Sequence, residues 1–171
     1  GPDYTYIRAK MLEGDEAGNV FILAKDLADQ NLGEGKYEIL EEMKGSELEG
    51  IKYEKLMPWN EVEDDQAFFV TCMDYVSVED GTGIVHSAPA FGEDDYNCGM
   101  KYGLPVYEPV DERGRYTTTP WKGRFIMEDG LDVEIIKWLS KEKKLFKKVK
   151  IEHDYPHCWR CGTPLVYYAK P

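Results

Sequence analysis

Long hydrophobic runs are missing from this 171-residue sequence. Nowhere do about 18 apolar residues follow one another, the length a membrane helix needs, so no membrane partner is expected. Histidine is scarce, with three residues, and there are four cysteines: Cys72, Cys98, Cys158 and Cys161. Their spacing shows no disulfide framework, which excludes a stapled secreted scaffold and makes a reducing cytoplasm the simpler setting. Phosphate-loop grammar is lacking too. The stretch GTGIVHSAPAFGEDDY (81–96) is rich in glycine, but no lysine follows as in G-x-x-x-x-G-K-[ST]. His86 stands where a dinucleotide fingerprint wants its third glycine. No cofactor is implied.

Positive charge is in short supply over most of the chain. Residues 1–136 carry 12 Lys and Arg against 30 Asp and Glu, a net of −18, whereas residues 137–171 carry 9 against 3, a net of +6. An acidic body repels nucleic-acid phosphate, so any RNA contact must be local. With 42% hydrophobic and 13% aromatic residues the chain is no disordered sequence. Gly1-Pro2 reads as a cleavage scar, and PLVYYAKP stops in an apolar stretch, so a segment of a longer chain is expected.

Periodicity predicts a hairpin from Tyr4–Lys10 and Val20–Ala24, joined by the turn-rich EGDEAGN. A two-turn helix is expected over 25–32, a third strand over 37–43, and the strongest strand over Phe68–Val78, which is rich in β-branched and aromatic residues. A turn at Asp80-Gly81 should return a strand over Gly83–His86. Helices are expected over 94–101, stopped by Gly103, and over about 131–144, burying Ile135, Ile136 and Leu139. Many short strands and few helices give a mixed α/β class with a β-barrel-rich body and short peripheral helices.

The 81–96 stretch should form a crevice, with a strand ending at His86 on one side of a loop and a helix starting near Asp94 on the other. Gly81 and Gly83 permit close approach to the backbone. A carboxylate there can take up an ammonium group, and an imidazole can contact a hydroxyl or limit the size of a side chain. The plainer readings are that the aspartates cap the helix and that His86 is structural. A metal site from His86, Glu93, Asp94 and Asp95 would have one nitrogen ligand and an unfamiliar spacing, so none is expected.

GTGIVHSAPAFGEDDY closely resembles the signature of the editing domain inserted in isoleucyl-tRNA synthetases, roughly GTG-x-VH-x-AP-x-x-G-x-DDY. GSELEGIKYEKL (45–56), YGLPVYEPVDERGRYT (102–117) and YPHCWRCGTPLVYYAKP (155–171) also resemble that family, in its order and nearest its eukaryotic cytosolic branch. Valyl and leucyl relatives usually differ at the histidine. The resemblance implies an aminoacyl-ester hydrolase acting on the mischarged 3′ end of tRNA(Ile), with the rest of a cytoplasmic synthetase as partner and the isolated domain a monomer. It implies an editing domain over 3–150 and the start of a return segment over 151–171. By the same resemblance Asp95 anchors the α-ammonium, His86 sets size selectivity or meets the terminal adenosine, and Gly83 and Ala88 line the pocket. Asp94 is left to cap the helix. The family's threonine-rich stretch, which supplies one pocket wall, lies upstream of the first residue here. TTTPW (117–121) follows DERGRY, where the family has a variable loop, and does not replace it.

Cys158-x-x-Cys161 is half a zinc ribbon; a structural site takes four ligands, so no metal is expected here. The resemblance pairs it with a second C-x-x-C outside this chain. Seven lysines lie between Lys137 and Lys150, of which Lys143, Lys144 and Lys147 are candidates for the tRNA backbone, against the alternative of a solvated helix face. Trp59, Phe68, Phe69 and Tyr75 read as core packing rather than a base-stacking platform. Three other readings stand beside the first: a valyl or leucyl editing domain, a non-catalytic acidic interaction domain, and a zinc-ribbon RNA module.

Overall fold

The computed structural model describes residues 1–150 and 155–167. Strand β1 (Thr5–Met11) is central to a three-stranded antiparallel sheet of order β2-β1-β3, flanked by β2 (Val20–Ala24) and β3 (Tyr37–Lys44). The register pairs Tyr6 with Ala24 and Met43, and a bulge falls between Arg8 and Ala9 on the β3 side. The hairpin and the third strand match the sequence expectation. Alternation explains them: Ile7, Ala9 and Met11 point into the core, while Arg8 and Lys10 face solvent.

The expected helix over 25–32 is a 3-10 turn, Lys25–Leu27, running into α1 (Ala28–Leu32). It seats Ala28 and Leu32 on Ile7, Ala9, Met11 and Leu23. A second cluster gathers Tyr6, Ala24, Leu27 and Leu48. Helix α2 (Glu93–Tyr102) ends at Gly103, whose left-handed φ of 68° no β-carbon opposes and whose N–H donates to Gly99 O.

The barrel expectation is corrected: among the described residues the mixed α/β structure has a small open sheet, not a closed barrel. Two expected strands account for much of the difference. Residues 68–78 do not join the sheet; their first residues pair with 50–53 in a short antiparallel contact, an isolated bridge of Lys52 to Phe69 flanked by backbone bonds from Gly50 N to Val70 O, Val70 N to Ile51 O and Tyr53 N to Phe68 O. Phe68 has a φ of 62°, incompatible with extended backbone, so β propensity loses to local geometry there. Gly83–His86 is also irregular, with Gly81 at φ 67° and Gly83 at φ 72° turning the chain away from a ladder.

Helix α3 spans Leu131–Lys141 and stops short of Lys144, because Lys143 adopts a left-handed φ of 55°. Leu131 is buried, while Ile135, Ile136 and Leu139 are only half-buried. A tryptophan cluster holds this helix to the irregular segments: Trp59 meets Trp138 at 4.6 Å and Trp121 at 5.5 Å between ring centroids. Arg124 clamps it from outside, forking to Glu134 at 2.7 Å and Glu128 at 2.8 Å. Beyond the helix, Phe146 packs on Phe21 of β2 with centroids 4.7 Å apart. The expected division at 150/151 borders residues 151–154, which lie outside the described residues.

Candidate functional site

The glycine loop is fixed to the sheet by two bonds and to α1 by a third. Tyr6, 2% exposed, donates its hydroxyl to Gly83 O at 2.7 Å. Ala24 N–H donates to Thr82 O at 2.9 Å, and the Asn31 side-chain amide donates to Gly81 O at 2.7 Å. Gly83 is buried so closely that a β-carbon there would stand 2.5 Å from Ala24 Cβ. The close approach expected of a glycine is therefore to the protein's own strand β2.

Past the glycines the loop doubles back over α2. Phe91 N–H closes a turn on Ala88 O, and Pro89 lies against Gly99 of the helix, where a β-carbon would meet its ring at 2.9 Å. This places His86 and Ala88 on one limb and Asp95 on the other, joined by the 87–92 turn. His86 is exposed, Ala88 and Asp95 are half-buried. Gly92 takes the N-cap position with no side-chain cap bond, so Asp94 is not the cap. Asp95 is the third helical residue, and its carboxylate turns back over Gly92, with Oδ2 2.7 Å from where a Gly92 β-carbon would stand. The first turn thus presents Glu93, Asp94 and Asp95 at the positive end of the helix.

Two neighbours were not assigned to the site from the sequence. Burial first, then the negative charge of Asp95, push the Tyr75 phenol above its ordinary range, with Ser87 pulling the other way. Ser87 Oγ is buried beside that phenol without an aligned hydrogen bond. Tyr75 looked like strand core; the turn at Asp74-Tyr75 that removes it from a sheet has no signal beyond the aspartate. Tyr6 and Asn31 likewise read as ordinary hairpin and helix residues.

The site is open rather than enclosed. Two cavities, of about 220 and 440 Å³, lie outside it: the first borders the loop at Phe91 and runs along Val110, Phe125 and Pro164, and the second lies beside Met127, Gly130, Tyr155 and Pro164. Trp121 of the TTTPW stretch belongs to the tryptophan cluster. Among the described residues, no three His, Cys, Asp or Glu side chains gather as metal ligands would. No described helix is long and apolar enough to cross a membrane. Of the candidate lysines, Lys144 donates to Leu56 O at 2.6 Å and sits over the Trp138 ring, while Lys143 and Lys147 are exposed.

No protein-family model matches the chain. Curated relatives match nearly all of it. The isoleucine–tRNA ligase of Clostridium novyi is 48% identical over 161 residues, covering 93% of this chain and 15% of the relative. That of Pyrococcus abyssi is 45% identical over 177 residues, covering 98% and 16%. That of Methanocaldococcus jannaschii is 41% identical over 181 residues, covering 98% and 17%. These relatives are bacterial and archaeal, so they lend nothing to the eukaryotic cytosolic resemblance. Over almost its whole length the chain is homologous to one segment of isoleucine–tRNA ligases, spanning about a sixth of the relatives it matches.

Proposed function

We propose that this chain is the post-transfer editing segment of an isoleucine–tRNA ligase, hydrolysing the ester of valine mischarged onto tRNA(Ile). The observation that carries the reading is the succession of an anchored glycine loop bearing His86 and a helix start bearing Asp95, in a chain homologous to a segment of isoleucine–tRNA ligases. Its need follows from physics. One missing methylene is worth only about 1–3 kcal/mol in a binding pocket, a limit for which isoleucyl-tRNA synthetase is itself the standard illustration. A second site that excludes the larger isoleucyl group supplies the remaining discrimination.

Asp95 is the anchor for the α-ammonium, through a charge-assisted hydrogen bond. His86 and Ala88 bound the side-chain space, and His86 is within reach of the terminal adenosine. No nucleophilic side chain is assigned; a water, assisted by the vicinal hydroxyl of the substrate ribose, attacks the ester carbonyl. The openness of the site fits a pocket whose second wall, the threonine-rich stretch, comes from elsewhere in a longer chain. Exposed Lys143 and Lys147 are available to tRNA phosphates. The partners are then the tRNA 3′ end and the remainder of a cytoplasmic synthetase.

An NMR titration with a non-hydrolysable valyl-adenosine analogue, run beside its isoleucyl counterpart, tests this. Shifts at His86 and Asp95 with valine preferred are expected, and Asp95→Ala should abolish them. Unchanged binding by Asp95→Ala removes the anchor assignment. If no binding occurs, repeating the titration with the threonine-rich segment restored separates an incomplete pocket from a mistaken site.

A further inference from the structure

Helix α2 carries Asp95 near its start, yet its polar ties to the rest of the chain lie towards its other end. Asp95, Cys98 and Tyr102 recur at helical spacing and so share one face, with Tyr102 two turns or about 10 Å beyond Asp95. Cys98 is fully buried, its sulfur 3.4 Å from Thr71 Oγ1. The Tyr102 hydroxyl accepts the Cys72 N–H at 3.0 Å. Its own proton goes to the Glu49 carboxylate, the charged acceptor of the two in reach. The other acceptor, Cys72 O, takes a bond from the Lys101 ammonium at 3.0 Å. Both backbone groups of Cys72 are thus satisfied by side chains of α2.

What receives these bonds belongs to the sheet. Glu49 directly follows the 3-10 turn Gly45–Leu48, which continues β3, and Leu48 is buried with Tyr6, Ala24 and Leu27. Cys72 Sγ lies on Gly45 O of the same turn at 3.3 Å. Tyr6 of that cluster is the residue that holds Gly83 of the glycine loop. The two limbs of the proposed site are therefore referred to one support, the His86 limb through Tyr6 and the Asp95 limb through Tyr102. Between the limbs themselves Pro89 lies against Gly99, an apolar contact without direction that lets the helix slide or turn.

We infer, on the editing reading above, that Tyr102 is a positioning residue for the proposed site. By tying the end of α2 to Glu49 and Cys72 it sets where Asp95 stands relative to His86 and Ala88, and with that the discrimination of valyl from isoleucyl esters. Tyr102 touches no substrate; it acts through the helix. A single methylene separates the two cargoes, so a space left undefined by about an ångström admits both. Misplacement on that scale by a remote change costs an enzyme up to about 100-fold.

The test measures affinities of the non-hydrolysable valyl- and isoleucyl-adenosine analogues for the unsubstituted chain, Tyr102→Phe, Glu49→Ala and Glu49→Gln, with amide spectra of each protein free of ligand. Tyr102→Phe keeps the ring against Phe69, at 6.3 Å between centroids, and removes the tie. The valyl-over-isoleucyl affinity ratio should fall about tenfold in Tyr102→Phe and in Glu49→Ala, and no further in the double variant. Glu49→Gln, whose amide oxygen still accepts, should keep the ratio. A loss of folded protein lowers both affinities alike and leaves the ratio unmoved. Without ligand, the amides of Gly92 to Asp95 should shift in Tyr102→Phe and Glu49→Ala, two turns from the change. An unchanged ratio in Tyr102→Phe, or unmoved amides, overturns the positioning role and leaves the editing reading standing. If the unsubstituted chain, with the threonine-rich segment restored, prefers neither analogue, the editing reading falls and the positioning role with it.

Discussion

Two glycines separate the stability of the site from its chemistry. At Gly83 a β-carbon meets Ala24 Cβ on a rigid strand and the backbone is left-handed, so neither partner yields. Gly83→Ala should cost about 2–4 kcal/mol, combining a left-handed backbone with overpacking, read from urea unfolding. At Gly92 the atom in the way is the carboxylate of Asp95, the far end of a movable side chain. Gly92→Ala should therefore cost only about 0.5–1 kcal/mol, the loss of a favourable N-cap residue, while displacing Asp95 and weakening valyl-analogue binding; full retention of binding would show that the carboxylate's present pose does not matter. Tyr6 supplies a third probe. Burial, then Cys72, push its phenol above the ordinary tyrosine value. Because the folded value is raised, its contribution is complete below about pH 10 and is lost as pH rises through the raised value, when the hydroxyl can no longer donate to Gly83 O. Tyr6→Phe should remove about 1–2 kcal/mol and flatten the alkaline limb of stability against pH.

Among elements, legibility followed how local the information was. The hairpin, α1 and α2 were readable because alternation, a first turn of acids and a stopping glycine all lie within each segment. Residues 68–78 were not: their β propensity is real, but Phe68 turns left-handed and the segment is held by contacts to Lys52, Gly45 and Tyr102 that no short window reveals. Helix α3 shows the same division, its start plain and its end set by Lys143. What holds it is a clamp that spacing alone does not disclose, Arg124 ten residues before Glu134. The Arg124 guanidinium holds the Glu134 carboxyl below its ordinary value. A depressed carboxylate stabilises above its unfolded value, about 4.3, and that stabilisation is lost as pH falls through the folded value. The fluorescence of the Trp59–Trp121–Trp138 cluster should therefore change in acid below about pH 4, and Glu134→Gln should lack that component.

At the scale of the whole molecule the charge is polar, acidic over 1–136 and basic after it, and the lysines continue from a helix whose tail is strapped to β2 by Phe146 on Phe21. If the tail meets phosphate, Lys143→Ala and Lys147→Ala should each flatten the dependence of log affinity for tRNA on log salt by about 0.9, whereas Lys144→Ala, its ammonium already on Leu56 O, should act mainly on stability. Equal slopes for all three would make the strip a solvated face. The candidate site was legible only as a string of residues; that the string is pinned to the first strand was not, because the partners lie far apart in the chain. Tyr6 and Gly83 are 77 positions apart. A hairpin closes in about 1–10 μs, but at ribosomal rates of about 5–20 residues per second the glycine loop follows the first strand by roughly 4–15 s. For that interval the nascent sheet carries the hydroxyl of Tyr6 without its acceptor, so this stretch of the protein is completed in order, frame first and glycine loop last.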